Sequence, residues 1–173
     1  MHTCGIEDKD ITIIAGYRND VLKEKFKDTE IQFVVNESYE TTNMVCSLMC
    51  ARKLMEKESD ILISYGDIIY SKEVLEKILQ SQDDMGVIVD DGWYEYWSAR
   101  CENPLDDAET LMFDENDYLT EIGQKTTDLN KVQSQYIGLM RFKNAGLQAV
   151  LDLSAEAKKR SENGKALWLS LIH

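Results

Sequence analysis

The sequence is poor in histidine, proline and cysteine, and two of these shortages exclude a class of protein. The only histidines are His2 and His173, so no Ser-His-Asp or Cys-His catalytic arrangement is supported. The four cysteines are too few and too scattered for a disulfide framework. Pro104 is the only proline. A histidine-dependent hydrolase and a disulfide-stapled fold are therefore both disfavoured.

Long apolar runs and an excess of basic charge are also absent. No run reaches the ~18 apolar residues of a membrane span, and the first ten residues lack the basic and then apolar regions of a signal peptide. We therefore expect a cytoplasmic protein with reduced thiols and no membrane partner. The formal net charge is −13, which disfavours a nucleic-acid partner because such proteins need a basic surface.

Complete glycine-rich phosphate loops are missing as well. Neither G-x-G-x-x-G after a strand nor G-x-x-x-x-G-K-[ST] occurs in the sequence. This argues against dehydrogenases and P-loop enzymes.

What the sequence does contain is a regular alternation of short apolar runs and amphipathic segments. The apolar runs predict strands over 10–17, 31–36, 60–65 and 85–91, and helical spacing predicts helices between them, one of them over 43–58. Thr41 or Thr42 is expected to cap that helix. The alternation is typical of an α/β fold with a mostly parallel sheet.

The alternation stops at an aromatic and polar stretch, GWYEYWSARCENPLDD. A β-hairpin is predicted next, with strands over 110–113 and 119–122 joined by a DENDY turn. A further strand, QYIGLMRF, and a long helix beginning at AGLQAVLDL follow. The length suits one domain, and no repeat or linker is visible.

The segment ILISYGDIIY places Gly66 and Asp67 directly after a buried strand. Parallel α/β sheets bind ligands outside the carboxyl ends of their strands. Gly66 would let a backbone or a phosphate approach closely, and Asp67 could hold Mg²⁺. The alternative is that Asp67 only opens a turn. The other predicted strand ends are Gly16-Tyr17, Asn36-Glu37, Asp90-Asp91 and Arg141-Phe142.

Four segments occur in a particular order: GIEDKDITIIAGYRND, IQFVVNESYETTNMVCSL, ILISYGDIIY and YIGLMRF. In this order the chain resembles the sugar-phosphate nucleotidyltransferase superfamily. The stretch over 90–125 is similar to its phosphocholine and aminophosphonate cytidylyltransferase branch. The resemblance implies a Rossmann-like three-layer α/β/α fold with an added β-hairpin. It also implies a Mg²⁺-dependent reaction of an NTP, most of all CTP, with a phosphocholine, aminophosphonate or sugar-phosphate acceptor, releasing pyrophosphate.

The resemblance also implies roles for individual residues. Asp67 matches the metal-binding aspartate, and the nucleotide-binding segment is matched by Thr42, Asn43, Ser47 and Gly66. Aromatic rings, Tyr94 among them, could face an ammonium group through cation–π contacts; the alternative is that they pack against the hairpin. The basic residues suit either phosphate or structural ion pairs. The implied acceptor-binding residues are Trp93, Tyr96, Trp97, Arg100, Asp107, Glu109, Lys125 and Tyr136.

The resemblance defines what is missing, too. Members of the superfamily open with a strand and a G-x-G-x-R loop, followed later by K-P, and this sequence contains neither, so no catalytic residue is named. It also stops at ALWLSLIH, before a second metal-binding aspartate. We expect a single partial domain over 1–173, lacking the usual first strand and truncated at both ends. Such a chain is expected to be weakly active or inactive, and marginally stable unless its open strand edges recruit a second copy.

Two other interpretations stay open at this point. The chain could be a non-catalytic remnant that serves as a binding or assembly module. More weakly, it could be a glycosyltransferase of related topology, although that class usually carries a D-x-D motif and only D-D pairs occur here.

Overall fold

The strands and helices alternate along the chain much as the apolar pattern predicts. The computed structural model describes residues 1–162, so the ALWLSLIH segment lies outside it. Its regular elements are β1 (Thr12–Ala15), α1 (Asn19–Lys25), β2 (Gln32–Val35), α2 (Met44–Cys50), α3 (Arg52–Met55), β3 (Asp60–Ser64), α4 (Lys72–Gln80), β4 (Met85–Asp90), α5 (Trp93–Ser98), β5 (Glu109–Phe113), β6 (Leu119–Lys125), β7 (Gln135–Lys143) and α6 (Asn144–Glu162). No helix in this range is long and apolar enough to cross a membrane. The four cysteines all carry free thiols.

The strands form three small sheets. β1 and β2 pair in parallel, β5 and β6 form the antiparallel hairpin, and β7 lies between β3 and β4, antiparallel to both. The fold is therefore mixed α/β, and the predicted hairpin is confirmed. The prediction of a mostly parallel, Rossmann-like sheet is wrong. Apolar periodicity marks which faces of a strand are buried, but strand direction is decided by the pairing partner.

Helices cover both faces of the three-stranded sheet. On one face, Ile61 and Ile63 of β3 pack with a buried cluster built from α3, β7 and α6. On the other face, Leu62 packs with a cluster that contains Leu75 and Ile78 of α4. This alternation is what a strand buried on both sides requires, and it explains why residues 60–65 form one continuous apolar run.

Two local predictions need correction. The helix predicted over 43–58 breaks at Ala51, whose φ of −88° and ψ of 3° leave the helical range between α2 and α3. Its cap is Asn43 and not Thr41 or Thr42, because the Cys46 N–H donates to Asn43 Oδ1 at 3.1 Å. The aromatic stretch, for which no element was predicted, forms helix α5.

Arg141 ties three elements together at the edge where β7 ends. Its Nε and Nη2 donate to the two carboxylate oxygens of Asp60 at 2.8 and 2.5 Å. Its Nη1 donates to the carbonyl oxygens of Ile78 and Leu79 at 3.0 and 2.5 Å, which caps the end of α4. Since β7 is antiparallel to β3 and β4, the predicted functional end at Arg141-Phe142 lies away from the other strand ends and is structural.

This ion pair predicts an acid-dependent loss of stability. The hydrogen-bonded Arg141 guanidinium lowers the pKa of Asp60 below its usual value. A carboxyl group whose pKa is lower in the folded state contributes stability that is present above the unfolded pKa, about 4, and lost as pH falls through the folded pKa. We therefore expect Asp60→Asn to be less stable than the parent chain by a constant margin above pH ~5, and by a shrinking margin below pH ~4. Urea unfolding of both proteins, from above pH ~5 to below pH ~4, measures this margin, and a margin that stays constant in acid would contradict the assignment.

Candidate functional site

The carboxyl ends of β3 and β4 meet the beginning of β7 at one edge of the sheet. This follows from the antiparallel pairing, in which Ser64 lies opposite Leu139 and Val89 lies opposite Tyr136. Asp67 and Tyr136, predicted from distant parts of the sequence, are thereby placed at the same edge. We call this edge, with the segments next to it, the candidate site.

Gly66 and Asp67 form an open part of this edge. Both residues are exposed, and a Cβ built on Gly66 would meet nothing within 4 Å. The Asp67 carboxylate makes no hydrogen bond or ion pair within residues 1–153, the range in which side chains are described. Within that range no group of three or more His, Cys, Asp or Glu side chains is arranged to hold a metal ion. A cation here would have one carboxylate ligand and would take its other ligands from water and substrate phosphates, as Mg²⁺ commonly does.

Tyr65, which precedes Gly66, lies between two halves of the site. Its N–H donates to the Gly138 carbonyl at 2.9 Å, and its hydroxyl donates to Sδ of Met44, the first residue of α2. Its ring meets the Tyr136 ring edge-on, with centroids 5.8 Å apart and planes at 83°. Gly138 makes the packing possible, since its φ is +91° and a Cβ there would come within 2.6 Å of Tyr65 Cδ2.

The two tyrosines are partly buried, and negative charges lie near Tyr65. Burial raises the pKa of Tyr65, the nearby Tyr136 hydroxyl acts against this, and the charges of Glu109 and Asp67 add to the rise. Burial also raises the pKa of Tyr136, and the neighbouring Tyr65 adds to the effect. The Tyr136 hydroxyl is buried and makes no hydrogen bond of good geometry, although Tyr65 is close enough to affect its pKa. Both phenols are therefore neutral hydrogen-bond donors at physiological pH.

Asn36 organises the predicted nucleotide segment. This side chain, 5% exposed at the end of β2, donates to Thr42 Oγ1 at 2.8 Å and to Ser47 Oγ at 3.0 Å. Its own Oδ1 accepts the Ser38 N–H at 3.0 Å. Ser47 in turn donates to the Asn43 carbonyl at 3.3 Å. The three residues predicted from the TTNMVCSL segment are thus held together, but by a residue that was predicted only as a strand end.

Replacing this residue should loosen the segment measurably. Asn36→Ala removes one hydrogen bond each from the Thr42 hydroxyl, the Ser47 hydroxyl and the Ser38 N–H. We therefore expect a loss of about 1–3 kcal/mol in the free energy of unfolding. Chemical denaturation measures the loss. Asn116→Ala, in the exposed turn of the hairpin, is the matched control and should change stability by less than about 0.5 kcal/mol. Equal effects at the two positions would show that the Asn36 bonds contribute nothing specific.

Some of the residues predicted to bind the acceptor substrate also lie close together. Glu109 and Lys125 lie directly opposite each other in the hairpin, and Lys125 Nζ donates to the Asp107 carbonyl at 3.3 Å. Gln135 ties this strand to the start of β7, because its Nε2 donates to the Glu109 carbonyl at 2.7 Å. Glu109 therefore lies on the side of the site that carries Tyr136.

The aromatic residues of α5 are divided between core and surface. Trp93 is 3% exposed and packs with Ala108 and Val132, joined by the partly buried Trp97. It belongs to the core and offers no exposed face to an ammonium group. Tyr96 is 56% exposed, but Arg100 lies 5.0 Å above its ring and donates to its hydroxyl at 2.8 Å. Tyr94, which was also proposed to face a cationic head group, is exposed as well, and its ring meets the Trp93 ring edge-on.

Sequence reasoning missed three residues that position the site, namely Tyr65, Gln135 and the buried Ser134, which donates to Asp91 at the end of β4. It named Asn36 only as a strand end. Tyr65 could have been suspected because it immediately precedes Gly66 and Asp67. The others are polar residues beside strand ends, and nothing local distinguishes them from turn residues.

The chain is homologous to cytidylyltransferases. It is 37% identical, over 156 residues, to CTP:phosphoglutamine cytidylyltransferase of Campylobacter jejuni; the match covers 87% of this chain and 60% of that relative. It is also 23% identical over 90 residues, which is 50% of this chain and 14% of the relative, to CMP-5′-(3-aminopropyl)phosphonate synthase of Streptomyces rubellomurinus. No family model matches the chain.

These similarities confirm the resemblance to cytidylyltransferases found from the sequence. The chain spans 60% of the length of the first relative.

Proposed function

We propose that the protein is a Mg²⁺-dependent cytidylyltransferase. An oxygen of a phosphate or phosphonate acceptor attacks the α-phosphorus of CTP, a new P–O bond forms, and the bond to the β-phosphate breaks as pyrophosphate leaves. The observation that carries the proposal is Asp67, exposed after the open Gly66 at the same edge of the sheet as Tyr136. Bound Mg²⁺ would neutralise phosphate charge there. The choice of CTP as the nucleotide is based on the similarity to enzymes whose names contain CTP and CMP.

Within the site, the residues would divide the work by position. The segment held by Asn36, with Thr42, Asn43 and Ser47, lies on the nucleotide side. Tyr136 and the Glu109 group lie on the acceptor side. The burial of Trp93 favours an acceptor that is recognised by hydrogen bonds and charge over one held in an aromatic cage. An amino-acid phosphate or an aminophosphonate, the acceptor types suggested by the relatives' names, fits this better than phosphocholine.

The direct test is a pyrophosphate-release assay with CTP, Mg²⁺ and an acceptor panel of 2-aminoethylphosphonate, phosphocholine and glucose 1-phosphate. We expect Mg²⁺-dependent CTP binding, but slow turnover, because the 173 residues contain no G-x-G-x-R loop to hold the triphosphate. Absence of CTP binding would overturn the proposal. Robust turnover would instead show that this loop is not needed.

A second candidate function is assembly. Among the described residues, β1 pairs only with β2, and β3 pairs only with β7, so each has an unpaired edge. The apolar side chains of both strands are mostly half-buried, and Leu48 and Met49 of α2 pack on the β3 side. Unpaired edges of this kind recruit further strands. A second copy of the chain is the occupant we propose.

Sedimentation velocity over a range of concentrations tests this assembly. We expect the mass to rise with concentration in the parent chain and the rise to weaken in Thr12→Lys, because charge on an edge strand blocks pairing. Thr127→Lys, the same change at an exposed position outside the strands, should behave as the parent does. A monomer at every concentration would rule out the second copy as a partner.

A further inference from the structure

Tyr65 contacts residues from both halves of the candidate site. Its hydroxyl reaches Met44, which follows Asn43 in the nucleotide segment. Its ring rests edge-on against Tyr136, which begins β7 on the acceptor side. A displacement on either side must therefore change the environment of the same side chain.

The hydroxyls of Tyr65 and Tyr136 are both weakly hydrogen-bonded. The Tyr65 hydroxyl donates to a thioether sulfur, which is a weak acceptor, on a Met44 side chain that is itself exposed. The Tyr136 hydroxyl next to it is buried and has no hydrogen bond of good geometry, the one side-chain oxygen or nitrogen in that state among the described side chains of residues 1–153. Buried hydroxyls nearly always have a partner. A small shift that brings the two hydroxyls together would therefore be favourable.

The rest of the tyrosine is fixed, so that the hydroxyl end is the adjustable part. The backbone of Tyr65 is bound to the Gly138 carbonyl. The ring lies against Gly138, where a side chain would collide with it. Motion at Met44 can then be passed to Tyr136 through a change of hydrogen bond, without rearrangement of the sheet.

We propose that Tyr65 is a positioning residue that couples nucleotide binding to acceptor binding. This rests on the proposed function. When a nucleotide settles on the Thr42–Asn43 segment, Met44 shifts, and the hydroxyls of Tyr65 and Tyr136 close into a hydrogen bond. Tyr136 is thereby fixed on the acceptor side. Because such coupling is reciprocal, the acceptor also favours the nucleotide-bound arrangement.

Calorimetric titration measures the coupling. The nucleotide probe is a CTP analogue with a methylene group between the α- and β-phosphorus, used with Mg²⁺, and the acceptor probe is 2-aminoethylphosphonate. In the parent chain we expect the nucleotide to raise the affinity for the phosphonate by about fivefold or more, a typical coupling. Tyr65→Phe removes the hydroxyl, and Met44→Leu removes the sulfur at similar volume. Each should reduce the factor to between one and two, with the affinity for either probe alone within about threefold of the parent.

The matched control is Tyr118→Phe, the same change at an exposed tyrosine in the hairpin, which should keep the parent's coupling. A ¹³C-methyl methionine spectrum gives a readout that a purely structural role would not move. The phosphonate alone should shift the Met44 methyl resonance in the parent chain and leave it in place in Tyr65→Phe. If Tyr65→Phe does not fold, Met44→Leu decides.

The outcomes separate this inference from the proposed function. Failure of the parent chain to bind either probe overturns the proposed function and the coupling with it. Binding of both probes without coupling, or coupling that survives in Tyr65→Phe and in Met44→Leu, overturns the role of Tyr65 alone.

Discussion

Asp67→Asn should weaken Mg²⁺-dependent binding of CTP by about tenfold or more, since outer-shell partners of a metal already contribute 10–100-fold and Asp67 is proposed as a direct ligand. The substitution removes the charge and keeps the shape. Stability should be unchanged, because the exposed carboxylate makes no hydrogen bond or ion pair with the described side chains of residues 1–153. Isothermal titration of CTP with and without Mg²⁺ measures the effect.

Asp28→Asn is the matched control for this experiment. It makes the same change in net charge at an exposed position just before β2, away from the strand ends that form the site. CTP binding should be the same as in the parent chain. If Asp67→Asn also binds CTP normally in Mg²⁺, then Asp67 is a turn residue, and the metal site proposed here is wrong.

Arg141→Ala should be strongly destabilising. It removes both bonds to Asp60 and the bonds to the carbonyl oxygens at the end of α4. The arginine side chain is only 12% exposed, whereas Asp60 is 45% exposed and partly solvated. We therefore discount the 3–5 kcal/mol typical of broken buried pairs and expect a loss of about 2–4 kcal/mol. Domains are stable by only about 5–15 kcal/mol, so a large share of the total would be lost.

Two further variants separate the ion pair from general effects of removing a long side chain. Arg141→Lys keeps the charge but cannot form the planar fork, so we expect an intermediate loss. Arg100→Ala, at the exposed stacking contact with Tyr96, should cost less than about 1 kcal/mol. Chemical denaturation of all three variants measures this order. Equal losses for Arg141→Ala and Arg100→Ala would show that the bonds to Asp60 and α4 do not stabilise the fold.

Local features of the sequence predicted the elements well. Short apolar runs located the first four strands, and DENDY located the hairpin turn, where the Asp114 carboxylate accepts the backbone N–H groups of Asn116 and Tyr118. Helix boundaries were less accurate. The break at Ala51 and helix α5 depend on how these segments pack, and aromatic residues such as those of α5 have only modest intrinsic helix propensity.

The functional-site residues also divide into those that a local sequence pattern predicts and those that depend on packing. The Gly66-Asp67 pair could be found because a glycine and a carboxylate after a buried strand form a local pattern. The roles of Trp93 and Arg141 could not be found in this way. Trp93 is buried because three separate segments close over it, and Arg141 is structural because β7 is antiparallel to its neighbours.

The sequence by itself determined which residues form the strands, which glycine and carboxylate end β3, and which relatives the chain resembles. Each of these depends on neighbouring residues or on the order of short segments. Only the tertiary structure decided the direction of β7, and with it the placement of Tyr136 beside the end of β3. It alone brought Tyr65 between Met44 and Tyr136. The physical reason is that strand pairing and side-chain packing join residues far apart in the chain, and no local pattern encodes their partners.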